Sequence, residues 1–399
     1  MIINMVKKLF FNGVKYILAL IFSVLKRDEH LWLTGKVSSW EYENSPPAFF
    51  DNSKYFFLYL VNKTNEKVFW VSSSKREISL LKSLGLPVVK FRSIKGIYLT
   101  LRAKYFFHHY GINQIDSILQ KNSVQINFWH AMPLKKMRYS VVPKIVGRRY
   151  PLLKETIEFG CSSSPYLTDS VLTEMYSLPK KQIIEFGYPR QDILKMNEEE
   201  NLLFCRRYSK DLLKYIQKAK EFKSIFVYMP TWRDDDPDYF EKIGIDYDLL
   251  SSQLKKIDSV LFIKLHPLTR ENCFRQYDNI IRISNSVDIY PFLMYVDYLI
   301  TDYSSICYDF LLLDKEIIFI PYDKEKYLSM RGCYFDYDSV TPGIKFHTFS
   351  EFVSNITKLD QLNFKSERKK IKELFFYKYD FNASQRTYEF FINSPHKTL

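Results

Sequence analysis

Glycine supplies only 11 of 399 residues, and neither GxGxxG nor GxxxxGKS/T occurs, so the usual dinucleotide and P-loop cradles are excluded. Any phosphate this chain holds must be held another way. Cysteine is sparse too. Cys161, Cys205, Cys273, Cys307 and Cys333 contain no CxxC pair, and an odd, scattered set argues against a disulfide framework or a zinc module. A reducing cytoplasm fits that usage. Long apolar runs are missing as well. The stretch Tyr16–Leu25, interrupted by Ser23, is well short of the about 20 residues a membrane-crossing helix needs. Repeats and low-complexity tracts are absent.

What is present is ring surface and positive charge. Hydrophobic residues make up 46% and aromatics 17%, with 33 Phe and 30 Tyr, which excludes a disordered chain and implies a large core. The length suggests two sizeable domains. Against 45 Asp and Glu stand 58 Lys and Arg, a net charge of +13, which suits a polyanionic partner: nucleic acid, an anionic membrane face or phosphorylated substrates. Residues 1–27 carry Lys7, Lys8, Lys15, Lys26 and Arg27 and no acid. A cleaved signal peptide is disfavoured, because Lys26, Arg27, Asp28 and Glu29 stand where small residues should form the cleavage site. Two readings of this segment stay open: a helix lying in an anionic membrane interface, and a helix packed on its own domain.

Short β-rich runs alternating with helical patterns predict an α/β protein with parallel sheets. The expected strands are Tyr55–Leu60, Val68–Val71, Val124–Trp129, Ile225–Met229, Val260–Leu265, Tyr298–Thr301 and Ile317–Ile320. Helical spacing fits 166–177, 200–220, 246–256, 305–313 and 366–378. The polar stretch after Asp192 marks a boundary between two halves. The expected division is a basic, apolar N-terminal helix over 1–27, an acceptor-side Rossmann-like domain over 28–192, a donor-binding Rossmann-like domain over 193–365, and a helical segment over 366–399 that returns across both. Four polar clusters sit at strand ends: His130, the Pro230–Arg233 run, His266, and TDYSS from Thr301 to Ser305. Ligands of open parallel sheets bind beyond such ends.

These clusters fall within a series of ordered blocks. They are DNSK (Asp51–Lys54), WHAMPLKK (Trp129–Lys136), GYPRQD (Gly187–Asp192), YMPTWRDD (Tyr228–Asp235), KLHP (Lys264–Pro267), the run from Thr301 to Asp323, and RGCYFD (Arg331–Asp336). In this order and spacing the sequence resembles the CDP-glycerol glycerophosphotransferases that build teichoic acids and capsule polymers, over roughly residues 30 to 390. It departs from them at Ala131, where the family usually has Gly. The resemblance implies a GT-B-like fold, two Rossmann-like domains with parallel sheets facing across a cleft. It also implies an enzyme that moves glycerol phosphate from CDP-glycerol to a hydroxyl of a membrane-linked acceptor and releases CMP. The expected workplace is the cytoplasmic face of the cell membrane, with the protein bound peripherally.

By the same resemblance His130 is the general base on the acceptor hydroxyl and His266 assists the departing CMP, and the two roles are exchangeable on the sequence. Histidine suits either task because it titrates near neutral pH. A Ser-capped helix start at Ser304 and Ser305 offers backbone N–H groups to a diphosphate. Thr231, Arg233, Thr301, Asp302 and Arg331 complete the expected donor site, the two arginines as bidentate phosphate ligands. As ordinary structure, Asp302 and the serines are helix caps, a His at a strand end satisfies a carbonyl, and a lone Arg is a solvated charge. Asp234, Asp235 and Asp236 read as a solvated turn, and neither a metal nor a cofactor is expected.

The basic stretch from Lys135 to Lys154 contains Lys135, Lys136, Arg138, Arg148 and Arg149 and lacks acids. It is either a solvated face or a guide for a polyanionic acceptor or the membrane. Tyr139 and Tyr150 are not spaced as a stacking platform, so no nucleic-acid partner is expected. The alternatives are a CDP-ribitol ribitolphosphotransferase, a GT-B nucleotide-sugar glycosyltransferase, and a non-catalytic basic module that binds a phosphorylated polymer.

Overall fold

A computed structural model describes residues 2–36, 49–109, 115–130, 132–137, 140–141, 152, 154–233, 235–236, 238–266, 269 and 277–393. The chain divides into two compact units: residues 1–130 with 142–192 and 382–399, and residues 131–141 with 193–381. The division expected at Asp192 is therefore crossed twice. Segment 131–141 belongs to the second unit, and the C-terminal stretch is split, helix Lys365–Phe375 going to the second unit and helix Ala383–Asn393 to the first.

In the first unit β1 (Asp28–Lys36), β2 (Lys67–Ser72), β3 (Val88–Lys90), β4 (Ala103–His108), β5 (Val124–Asn127), β6 (Ile157–Cys161) and β7 (Ile183–Ile184) form one sheet. Its order is β3-β2-β1-β4-β5-β6-β7, with every pairing parallel. All four residues of β5 are buried, as a parallel strand covered on both faces requires. Leu31, Leu33, Val71, Val89 and Phe106 form a core on one face with Leu99 and Ile115.

Helix α1 (Ile2–Ser23) precedes this sheet, and α2 (Asp51–Lys63), α3 (Lys75–Ser83) and α4 (Ile94–Arg102) cover it. The strand expected at Tyr55–Leu60 is instead the middle of α2. Asn52 to Leu58 and Leu60 are buried on every side of that helix, so its apolar run has no helical period and reads as a buried strand. Of the two readings of the amino terminus, packing on its own domain is what α1 shows. Ala19, with Leu18, Leu20 and Phe22, packs on Leu101, Ile118 and Leu119, while Val14, Ile17 and Ile21 are exposed.

The second sheet contains β8 (Ser224–Tyr228), β9 (Ser259–Lys264), β10 (Ile280–Ile283), β11 (Tyr298–Thr301), β12 (Glu316–Phe319) and β13 (Ile344–Lys345). Its order is β10-β9-β8-β11-β12-β13, again all parallel. In each unit the first strand is central and the order reverses beside it, at β1/β4 and at β8/β11. Beyond the carboxyl ends at such a reversal lies a crevice free of crossover helices, where doubly wound sheets take their ligands.

Candidate active site

In the first unit the loop after β5 carries His130, and it is gripped on all sides. Trp129 has a left-handed backbone, φ 58°. Its N–H donates to Asn127 Oδ1 at 3.0 Å and its carbonyl accepts from Asn52 Nδ2 at 2.8 Å. The His130 carbonyl accepts from Arg190 at 2.7 Å, and the same guanidinium nitrogen lies 2.9 Å from Asp51 Oδ1. His130 Nδ1 is 3.1 Å from the carbonyl of His109. A carbonyl only accepts, so Nδ1 carries the proton and Nε2 presents its lone pair. That is the tautomer a general base requires. The imidazole is half-buried.

In the second unit the loops after β8 and β11 meet where the strand order reverses. Thr301, buried at the end of β11, donates its hydroxyl to Met229 O at 2.7 Å. Asp302, 1% exposed, accepts from the N–H of Thr231 at 2.8 Å and pairs with Arg233 at 2.9 Å. Arg233 also meets both carboxylate oxygens of Asp323, at 2.8 and 2.9 Å, and donates to Thr231 O at 2.6 Å. Its guanidinium lies 5.0 Å from the ring centre of Tyr303 and 4.7 Å from that of Tyr327. Burial alone pulls the guanidinium pKa down, but Asp302 and Asp323 outweigh it and hold the pKa well above the ordinary value. Burial, followed by Asp323 and Asp302, pushes the Tyr303 phenol up, so it remains a donor to Asp323 at 3.0 Å.

The surface of this loop differs from its base. Ser304 and Ser305 are half-buried and precede helix Ile306–Leu311, where Ser305 makes no side-chain capping bond. Arg331, at the end of helix Lys324–Arg331, is exposed. His266 follows β9 with an exposed imidazole 5.9 Å from the Trp232 ring. Its carbonyl accepts from Thr269 N at 2.9 Å. Among the three adjacent acids, Asp235 pairs with Lys326 at 2.8 Å and Asp236 with Lys242 at 2.6 Å, as a solvated turn does, while Asp234 lies outside the described residues.

The basic stretch begins in the second unit. Lys136 N donates to Gly332 O at 3.1 Å, Tyr334 N to Leu134 O at 3.0 Å, and Lys135 Nζ approaches the Tyr327 hydroxyl at 3.4 Å. Lys135 and Lys136 were expected on the acceptor-side domain. Backbone pairing with Gly332–Tyr334 instead builds them into the unit that carries Arg233 and Ser304. Arg138, Arg148 and Arg149 lie outside the described residues.

The model of the family described as CDP-glycerol:poly(glycerophosphate) glycerophosphotransferase matches residues 40–393. The chain belongs to this family. It is accordingly an enzyme of the glycerophosphotransferase class, the activity its sequence implies. The teichoic acid poly(glycerol phosphate) polymerase of Bacillus spizizenii is 27% identical over 85% of this chain and 86% of its own. The teichoic acid glycerol-phosphate transferase of Staphylococcus aureus is 26% identical over 84% and 88%. Among solved structures, the wall teichoic acid polymerase TagF superposes over 98% of this chain and 97% of that one, with a TM-score of 0.73 at 20% identity. The GT-B-like class expected for this glycerophosphotransferase agrees with that likeness and with its two doubly wound sheets.

Several residues around these loops escaped the sequence reading. Asp51, Asn52, Arg190, Tyr303 and Asp323 lay within quoted blocks but without a role, and Tyr327 went unremarked. The one available signal was charge beside apolar sequence, since DNSK opens directly onto YFFLYL.

Proposed function

We propose that this glycerophosphotransferase transfers glycerol phosphate from CDP-glycerol to a hydroxyl of a membrane-linked acceptor in teichoic acid or capsule polymer synthesis. The observation that carries the reading is the TDYSS loop at the β8/β11 reversal, within a family match spanning 40–393. The acceptor hydroxyl attacks the β-phosphorus of CDP-glycerol, its proton passes to His130 Nε2, the bond from that phosphorus to the bridging oxygen breaks, and CMP leaves. His266 meets the charge developing on the departing phosphate. Such transfers depend on positioning and charge stabilisation rather than on covalent help from the protein.

Within the donor site two tiers of residues follow from burial. Ser304, Ser305 and Arg331 are the groups with solvent-facing surface, and we assign them to the donor phosphates. Thr231, Arg233 and Asp302 are buried and bonded to one another, buried Thr301 is bonded to Met229 O, and we assign all four to holding that loop in shape.

The membrane enters through α1. No helix among the described residues is long and apolar enough to cross a bilayer. Yet Ile17 and Ile21 are 57% and 58% exposed on α1, Val24 and Leu25 continue the stripe at 86% and 49%, and Lys26 stands beside them exposed. An apolar stripe with a cation at its end fits an anionic membrane surface on the cytoplasmic side.

The deciding assay incubates purified protein with CDP-glycerol or CDP-ribitol and a lipid-linked acceptor and measures CMP release. Release with CDP-glycerol and extension of the acceptor by glycerol phosphate are expected. Release with CDP-ribitol alone would transfer the reading to ribitol, and no release with either would overturn it.

A further inference from the structure

We infer that Asn52 and Arg190 are positioning residues for His130, forming a clamp that fixes both its loop and its tautomer. The inference rests on the proposal that His130 is the general base.

The two side chains are 0% and 1% exposed, so neither is placed to meet a substrate, and each grips a different peptide of the loop. Asn52 donates to Trp129 O at 2.8 Å and accepts from Arg190 N at 3.1 Å, so one amide ties the base loop to the GYPRQD segment. Arg190 donates to His130 O at 2.7 Å and is itself oriented by Asp51 at 2.9 Å. One end of this arrangement is strained. Trp129 has a φ of 58°, a region that a bulky residue adopts only when its surroundings overdetermine it, whereas Asp51, at 59°, is of a type that enters that region more readily. Here the surroundings are the clamp itself. Its effect is to place His130 Nδ1 3.1 Å from His109 O, which fixes the proton there and leaves Nε2 basic. His109 is located in turn by Ser53, whose hydroxyl is 2.7 Å from His109 Nδ1. The DNSK block thus supplies Asp51, Asn52 and Ser53 to one task, holding a histidine whose neighbour Trp129 lies 77 residues beyond Asn52.

The test uses Asn52→Asp, which keeps the acceptor for Arg190 N but loses the donor to Trp129 O, and Arg190→Met, which removes the donor nitrogen that meets both Asp51 and His130 O. Steady-state kinetics on the full chain should show kcat lowered by about 10²-fold with KM for CDP-glycerol unchanged, the signature of a lost transition-state contact. Placed in a His130→Ala background, Asn52→Asp should cost nothing further, because its effect runs through the imidazole. Nitrogen-15 spectra of the histidines should show a single Nδ1–H tautomer for His130 in the wild type and a mixture in Asn52→Asp. Three results would overturn the inference. One is wild-type kcat in both variants. Another is an equal loss in the His130→Ala background. The last is an unchanged tautomer in a variant that has lost activity. Wild-type activity in His130→Ala alone would instead remove the base assignment on which the inference depends.

Discussion

Replacing Arg233 by Met separates a buried structural cation from one that binds donor phosphate. The guanidinium is 3% exposed and bridges Asp302, at 1%, to Asp323. Methionine fills much of the volume but leaves the Asp302 carboxylate buried without its cation. Breaking such a pair from one side costs about 3–5 kcal/mol. A unit of 150–250 residues shifts its midpoint by about 2–4 °C per kcal/mol, so Arg233→Met should melt about 6–20 °C below the wild type. The pair Arg233→Met with Asp302→Asn should recover a large part of that loss. The amide introduced by Asp302→Asn would keep an oxygen for Thr231 N, now bonded at 2.8 Å, without burying a charge. The assay is differential scanning fluorimetry of wild type and both variants beside CMP release measured well below the lowest midpoint. The reasoning is refuted if Arg233→Met melts within about 2 °C of wild type, a shift worth no more than about 1 kcal/mol, while KM for CDP-glycerol rises sharply. That combination would mean the guanidinium meets the donor rather than its own carboxylates.

His130→Ala and His266→Ala should each lower kcat by about 10²–10⁴-fold, the usual share of a positioned acid or base, and full activity in both would sink the mechanism. Ser304→Ala with Ser305→Ala should raise KM for CDP-glycerol without moving the melting midpoint, and an unchanged KM would refute their donor role. Burial pushes the Asp192 carboxyl up to about 6, against hydrogen bonds from Ser384 and Ala383 and the charge of Arg386. The folded state then holds more protons than the unfolded one between about 4 and 6, so this group's contribution is complete at low pH and is lost as pH rises through about 6. The stability of wild type relative to Asp192→Asn should therefore fall by about 3 kcal/mol across that window, and a flat difference would refute it. Ile17→Glu with Ile21→Glu should abolish flotation with vesicles containing anionic lipid while leaving CMP release from a soluble acceptor intact, and retained flotation would dismiss α1 as the docking element.

What the sequence revealed and what it concealed divide along the range of the interactions. Short polar clusters at strand ends are local. TDYSS, the Pro230–Arg233 run and His266 could be placed because β8, β9 and β11 are apolar runs that stop where those clusters start. The two halves were legible for the same reason, each being a succession of such strands. Helix α2 was not, since an aromatic run buried on all sides has neither the period of two nor that of 3.6. The assignment of 131–141 was hidden as well, because it is decided by backbone bonds such as Lys136 N to Gly332 O, nearly two hundred residues apart in the chain. Arg233 shows most sharply how partners decide meaning. From its block it reads as a phosphate ligand, but Asp302 and Asp323, 69 and 90 residues downstream, neutralise it within the fold. A guanidinium already satisfied by two carboxylates contributes little net charge to an incoming diphosphate. The attraction of this unit for an anionic donor must then come from cations at its surface, and Arg331 and Lys136, both exposed, are where substitution should alter donor affinity and its dependence on salt.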